Sequence, residues 1–143
     1  MDRQDRIDEQ LAQVPLFQGL PKKALRLISQ LATYLEEPAG AVLTQEGKAG
    51  HEFIIVLEGE VEIRQGDRVV ATRGPGSYVG EIALIDQRPR TATVIAKTPV
   101  SIEVIGQREF AGLLAEVPDL SRQLLAAVAR RLADLDRQEA DTP

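Results

Sequence analysis

Residues 74–94 read GPGSYVGEIALIDQRPRTATV, and the rest of the chain is best interpreted outward from them. Ser77, Tyr78 and Val79 have the character of a strand that stops at Gly80, and Glu81 to Ile85 is long enough for one or two helical turns. A short helix that begins inside a β-rich region leaves its first amides without internal partners, aimed at whatever lies in front of them, which suits a phosphate. Gly80 lets the backbone approach such a group closely. Arg88 and Arg90 follow, the second just before a new β-rich run at Thr91. A planar guanidinium matches two phosphate oxygens. Glu81 repels phosphate, but its carboxylate accepts hydrogen bonds from a sugar hydroxyl. Amides, one arginine and one carboxylate together describe a site for a nucleotide with few phosphates. No G-x-x-x-x-G-K-[ST] phosphate loop occurs. The competing reading makes Glu81 and Arg90 a structural ion pair and the glycines turn residues. Each residue alone fits it; their joint order and spacing are much rarer.

On both sides of this stretch, from Tyr34 to Ile105, the chain breaks into short β-rich runs: Ala41–Thr44, Glu52–Leu57, Val61–Arg64, Arg68–Ala71, Thr91–Ala96 and Val100–Ile105. Turn signals separate them at Pro38-Ala39-Gly40, Gly47, Gly59, Gln65-Gly66-Asp67 and Gly74-Pro75-Gly76. No full crossover helix separates successive strands, so an antiparallel barrel or jelly roll is predicted rather than a parallel sheet. Before this region, Ile7, Leu11 and Val14, then Ala24, Leu25, Ile28 and Leu31, fall at helical spacing, with Pro21 suited to a first turn. Between those two short helices, Pro15 to Leu20 reads as a turn whose Phe17 plugs into the core.

After Gly106 the helical period returns. Arg108 to Glu116 carries Phe110, Leu113 and Leu114 on one side. Pro118 then opens a longer helix with Asp119 in its first turn and Arg130, Arg131 and Arg137 towards its end, an order the helix dipole favours. Leu125, Val128, Leu132 and Leu135 give about one and a half heptads of apolar seam. Packing against its own domain is preferred over pairing with a second chain. The expected organisation is one mainly β domain with flanking helices: N-terminal helices over 1–33, an antiparallel β-roll over 34–106, C-terminal helices over 107–138 and a tail over 139–143.

Composition excludes much. The chain has 143 residues, 43% of them hydrophobic and 27% charged, enough apolar material for one core. Without cysteine there is no disulfide, Cys-ligated zinc, iron–sulfur cluster or thiol nucleophile. One histidine, His51, leaves no His pair for a catalytic metal and reads as a solvated turn residue. A metal site and a catalytic role are therefore not expected. A net charge of −5 opposes a general nucleic-acid or anionic-membrane surface but leaves room for a small anion site. Neither a transmembrane helix nor a signal peptide is legible, and a cytoplasmic location is expected. Aromatics are scarce: Phe17, Tyr34, Phe53, Tyr78 and Phe110.

The run GEIALIDQRPRTATV closely resembles the phosphate-binding cassette of the cyclic-nucleotide-binding domain family, found in catabolite-type regulators, cyclic-nucleotide-dependent kinases and cyclic-nucleotide-gated channels. LFQGLPKKAL, AGAVLTQEG and FIIVLEGEVEI resemble the family's opening helices and first strands, and the resemblance covers nearly the whole chain. It implies a β-roll with a short cassette helix and a long C-terminal helix, and a 3′,5′-cyclic nucleotide as ligand, with no separate cofactor. By resemblance, Glu81 would accept from the ribose 2′-hydroxyl, Arg90 would pair with the cyclic phosphate, and the amides of Ile82 and Ala83 would complete the cradle. Gly80 would leave room for the ribose, Thr91 would touch the phosphate or the base edge, and Arg88 would stay outside the site.

The terminal helix would close over the base with Leu124, Leu125, Val128, Arg131 and Leu132. No aromatic follows Phe110, so any cap on the base is aliphatic or an arginine stem. Cyclic AMP is preferred, cyclic GMP is the alternative that Thr91 also permits, and a ligand-independent interaction module is the reading from another class. The helix-turn-helix, kinase and channel parts that accompany the domain in its family do not occur here. The effector is then a separate protein or a fused domain outside these residues, and a homodimer through the terminal helix is plausible.

Overall fold

The run Phe53-Ile54-Ile55-Val56-Leu57 is apolar without interruption, which a strand tolerates only when both of its faces are covered. The computed structural model describes residues 2–80 and 89–140, the side chains of 131–132 and 134–140 excepted, and it places this run in the middle of β3 (Glu52–Glu58). Alternate side chains go to two separate cores. Phe53, Ile55 and Leu57 enter a core shared with the helices, whereas Ile54 and Val56 enter one between the sheets with Val61, Val94, Ala96, Val100 and Ile102. Each fully buried side chain of this kind stabilises the fold by about 1.5–3 kcal/mol.

Among the described residues eight strands form two four-stranded antiparallel sheets: β1 (Thr33–Glu37), β2 (Val42–Thr44), β3, β4 (Val61–Gln65), β5 (Arg68–Arg73), β6 (Tyr78–Val79), β7 (Thr93–Ala96) and β8 (Val100–Gly106). Their orders are β1-β8-β3-β6 and β2-β7-β4-β5, the two-sheet arrangement of a jelly roll. The predicted fold class is thus found. Most predicted runs lie within one or two residues of an observed strand, and the larger differences are at β1 and β7. β1 was not among the predicted runs, because TYLEE is an edge strand with little apolar alternation, and its Leu35 is 38% exposed. The strand expected to stop at Gly80 is β6, reduced to Tyr78–Val79. β7 begins at Thr93 rather than Thr91, since the Ala92 carbonyl accepts from the Thr44 hydroxyl (3.2 Å) and the Thr91 carbonyl from Gln65 Nε2 (3.4 Å) instead of joining the ladder.

Helix α1 (Arg3–Ala12) is capped by Asp2, whose carboxylate accepts from the Asp5 N–H at 2.8 Å. A 3-10 turn (Pro15–Phe17) buries Phe17, as the sequence predicts, and α2 (Lys22–Leu31) runs beside α1. Arg26 donates to Asp8 at 3.0 Å, and Gln4 Nε2 donates to both Asp8 and Ser29 at 2.8 Å, tying the two helices together. Helix α3 (Gln107–Glu116) sends Phe110 and Leu113 into the helix-side core. Helix α4 (Pro118–Ala140) adds Leu120 and Leu124 to it and runs past Gln138, where a tail was expected. Between β3 and β4, Gly59 has φ +89°, and a Cβ there would collide with the Pro99 carbonyl oxygen, so this turn accepts no other residue without strain.

Candidate functional site

The end of β6 meets the start of β3. Val79 pairs with Ile54, which brings Gly80 against the Glu52 carbonyl. Across this junction lies the Arg90 side chain. Its Nη2 donates to the Glu52 carbonyl oxygen at 2.7 Å. Its backbone is pinned on both sides by the turn before β3: the Arg90 N–H donates to the Lys48 carbonyl at 2.9 Å, and the Gly47 N–H donates to the Arg90 carbonyl at 2.8 Å. A guanidinium is thereby held by fixed backbone rather than left on a free surface stem.

Two glycines make room for it. A Cβ on Gly50 would strike the Arg90 guanidinium, and a Cβ on Gly80 would strike the Glu52 carbonyl oxygen and lie 2.5 Å from Arg90 Nη1. Gly80 also has φ +95°, a conformation side chains rarely adopt. Gly80→Ala is therefore expected to cost about 1–3 kcal/mol, because the obstacle is backbone and cannot swing aside. Gly112→Ala is the control: in α3, with nothing within 4 Å of the added carbon, it should be neutral or stabilise by up to about 1 kcal/mol. Equal urea midpoints for the two variants would contradict the crowding at Gly80.

Burial lowers the Arg90 pKa from its ordinary value, and the nearby Glu52 carboxylate opposes that shift. The group stays cationic at any ordinary pH. Among the described residues, its side chain makes the one hydrogen bond to Glu52; Nη1 lies beside Gly80 and Nε beside Gly50. A half-buried cation with fixed backbone behind it has the chemistry to hold a small oxyanion. Thr91, next in the chain, is exposed, and so is His51.

The described structure brings Gly80 and Arg90 together and sets Thr91 beside them. Glu81, Ile82, Ala83, Arg88 and the short helix expected over 81–85 lie outside the described residues. Among the lid candidates, Leu124 is 5% exposed in the helix-side core, Val128 packs partly against that core, and Leu125 is 71% exposed. The side chains of Arg131 and Leu132 lie outside the described residues. The sequence reading missed Gly50 and the Glu52 carbonyl. Gly50 in the turn AGHE, just ahead of a fully buried strand, was the available signal for a side chain crossing above it.

Helix α4 packs on the 3-10 turn, where Gln123 Nε2 donates to the Gln18 carbonyl at 2.9 Å and a cleft lined by Leu16, Tyr78, Ala127 and Arg130 remains between them. Among the described residues no group of His, Asp and Glu is placed to hold a metal ion, and no helix is long and apolar enough to cross a membrane.

Residues 35–117 match the family model for the cyclic nucleotide-binding domain. The Pycsar effector protein XpPycTIR of Xanthomonas perforans is 36% identical over 112 residues, 78% of this chain and 37% of that protein. A cAMP-dependent protein kinase regulatory subunit of Yarrowia lipolytica is 39% identical over 120 residues, 82% of this chain and 32% of that protein. The chain thus spans about a third of the length of these curated relatives. The catabolite activator protein of Thermus thermophilus superposes with a TM-score of 0.82 at 27% identity, over 88% of this chain and 62% of that one.

Proposed function

Because the chain belongs to the cyclic nucleotide-binding domain family, we propose that it is a non-catalytic cyclic-nucleotide sensor, for cyclic AMP in preference to cyclic GMP, whose ligand moves the C-terminal helix. The observation that carries this reading is Arg90, held by backbone on both sides and lying directly over Gly80. In it Arg90 pairs with the cyclic phosphate, Gly80 gives way to the ribose, Glu81 accepts from the 2′-hydroxyl and the amides of Ile82 and Ala83 close the cradle. Thr91 reaches the phosphate or the base edge. The kinase subunit to which the chain is 39% similar by identity is named for its dependence on cAMP, which supports cyclic AMP over cyclic GMP. No further cofactor is required, since a ligand with one phosphate and one purine needs only donors, acceptors and a cover.

Calorimetric titration with both nucleotides tests the reading. Heat with cyclic AMP is the expected result, and none with either nucleotide at high micromolar concentration overturns it. If Thr91→Ala weakens cyclic GMP binding more than cyclic AMP binding by at least tenfold, about 1.4 kcal/mol, the preference passes to cyclic GMP.

The seat of α4 supports coupling to the C-terminal helix. Leu120 and Leu124 anchor its start in the core, whereas Leu125 faces solvent and Val128 is half covered. The later part of the helix is the part free to close over a base, with Leu125, Val128, Arg131 and Leu132 as the lid. The Gln123–Gln18 hydrogen bond holds α4 on the 3-10 turn and opposes that movement. Breaking it with Gln123→Ala removes about 0.5–1.5 kcal/mol from the docked form, so nucleotide affinity is expected to rise by roughly two- to tenfold. Unchanged or weaker affinity would contradict the movement. The effector is a separate protein or a fused domain, as the length of the relatives suggests, and this reading places the sensor in the cytoplasm. Light scattering with and without nucleotide tests for a homodimer through α4.

A further inference from the structure

Glu103 stands in the middle of β8, with β1 on one side and β3 on the other. Its register partners are Tyr34 and Ile55, so the three side chains form a row on one face of the sheet. Ile105, two residues on, shares that face, and Ile55 and Ile105 both belong to the core beneath the helices. Glu103 is 1% exposed, and among the described residues its buried Oε2 has no hydrogen-bond partner. An ionised oxygen without water or donors is strongly disfavoured there, whereas a neutral carboxyl is tolerated.

The surrounding groups do not neutralise a charge. From α1 comes Asp8, itself an anion, held by Gln4 and by Arg26 of α2. From β1 comes Tyr34, whose hydroxyl donates to Glu36 at 3.0 Å and whose ring lies 4.7 Å from the Arg3 guanidinium, which also pairs with Glu36. β3 presents Ile55, and α3 presents Phe110 and Leu113. Arg3 and Arg26 are thus engaged with Glu36 and Asp8. Burial first, and the Asp8 carboxylate second, push the Glu103 carboxyl up to about 7.

We propose that Glu103 is a proton-operated latch for the α1–α2 layer. Protonated, its neutral carboxyl lies closed beneath the helices; ionised, it draws water into the core and α1 and α2 loosen from the sheet, on which α1 rests at β3. Leu16, Phe17, Leu120 and Leu124 belong to the same core, so the seat of the terminal helix loosens with them. The latch stands on the core alone and does not depend on nucleotide binding. The folded pKa lies above the ordinary value of 4.5, so the folded state holds this proton more tightly than the unfolded one. The stabilising contribution is full below the unfolded value, falls as pH rises and is gone above the folded value.

Urea unfolding of the full chain from about pH 5 to about pH 8.5 tests it, with Glu103→Gln as an uncharged copy of the latched state. The folding constant of the wild type relative to the variant is expected to fall on the order of fiftyfold across that range, levelling above about pH 7; parallel curves overturn the proposal. Hydrogen exchange, corrected for the intrinsic rate, should show protection lost with rising pH in α1 and α2 while β4 and β5 stay protected, and a uniform loss overturns the latch. Should Glu103→Gln not fold, carbon NMR of the Glu103 carboxyl in the wild type decides: titration near pH 7 is expected, and titration near its ordinary value refutes it.

Discussion

Replacing Arg90 with alanine is expected to weaken cyclic AMP binding by roughly a hundredfold or more while leaving the unfolding midpoint nearly unchanged. The asymmetry comes from what the guanidinium does with and without an anion. In the folded chain its described side-chain bond is a single one, from Nη2 to the Glu52 carbonyl. A lone hydrogen bond of this kind contributes about 0.5–1.5 kcal/mol, and its loss is offset by relief of the burial that already lowers the Arg90 pKa. Against a phosphate the same fork makes charge-assisted, two-oxygen contact, and truncating such a partner costs about 2–5 kcal/mol. Arg90→Lys separates charge from geometry: it keeps the cation, loses the fork, and should fall between wild type and alanine. Calorimetry and thermal unfolding on the three proteins give the result. If the midpoint collapses in Arg90→Ala, the arginine is a structural tie across the β3–β6 junction, and the competing ion-pair reading of the cassette gains.

Much of the fold is legible in the residues because the signals are local and dense. Gly66-Asp67 between two β-rich runs marks the two-residue hairpin joining β4 and β5, and Pro118 marks the opening of α4. What escapes is what depends on neighbours distant in sequence. Glu103 is one such case: in SIEVI it alternates with apolar residues and reads as a solvent-facing position. It is buried because helices cover the outer face of β8, which the strand's own pattern does not encode. Arg90 is the converse. Its residue type and the glycine before the cassette were enough to nominate it, but its support comes from Gly47, Lys48, Gly50 and Glu52, some forty residues earlier in the chain. The terminal helix was divided correctly only in part. Its seam of Leu125, Val128, Leu132 and Leu135 suggested a single buried stripe, whereas the described portion turns Leu120 and Leu124 inward and leaves Leu125 71% exposed.

Phe53→Ala is expected to cost about 3–5 kcal/mol, a large share of the roughly 5–15 kcal/mol that holds a domain folded. Phe53 is fully buried, and its ring centroid lies 5.1 Å from that of Phe110 and 5.4 Å from that of Tyr78. Three of the five aromatic residues therefore meet at one point, where β3, β6 and α3 converge. The site lies one residue away along β3 and two along β6: Glu52, which holds Arg90, precedes Phe53, and Gly80 follows the pair Tyr78-Val79. This trio is the packed route from the site's backbone to the helices, and two effects should separate in Phe53→Leu. Most of the apolar volume is retained, so the stability loss should drop to about 1–1.5 kcal/mol. The tilted ring contacts, worth about 0.5–1.5 kcal/mol with Phe110 in a double-mutant cycle, should disappear. If the trio carries the coupling, Phe53→Leu binds nucleotide with near wild-type affinity but shows a smaller nucleotide-dependent change in hydrogen exchange of α4. Ile54→Val, the neighbouring position that faces the inter-sheet core, costs a comparable about 0.5–1.5 kcal/mol and should leave that change intact. An equal loss of response in both variants would assign the effect to general softening of β3, and the aromatic trio would then be packing alone.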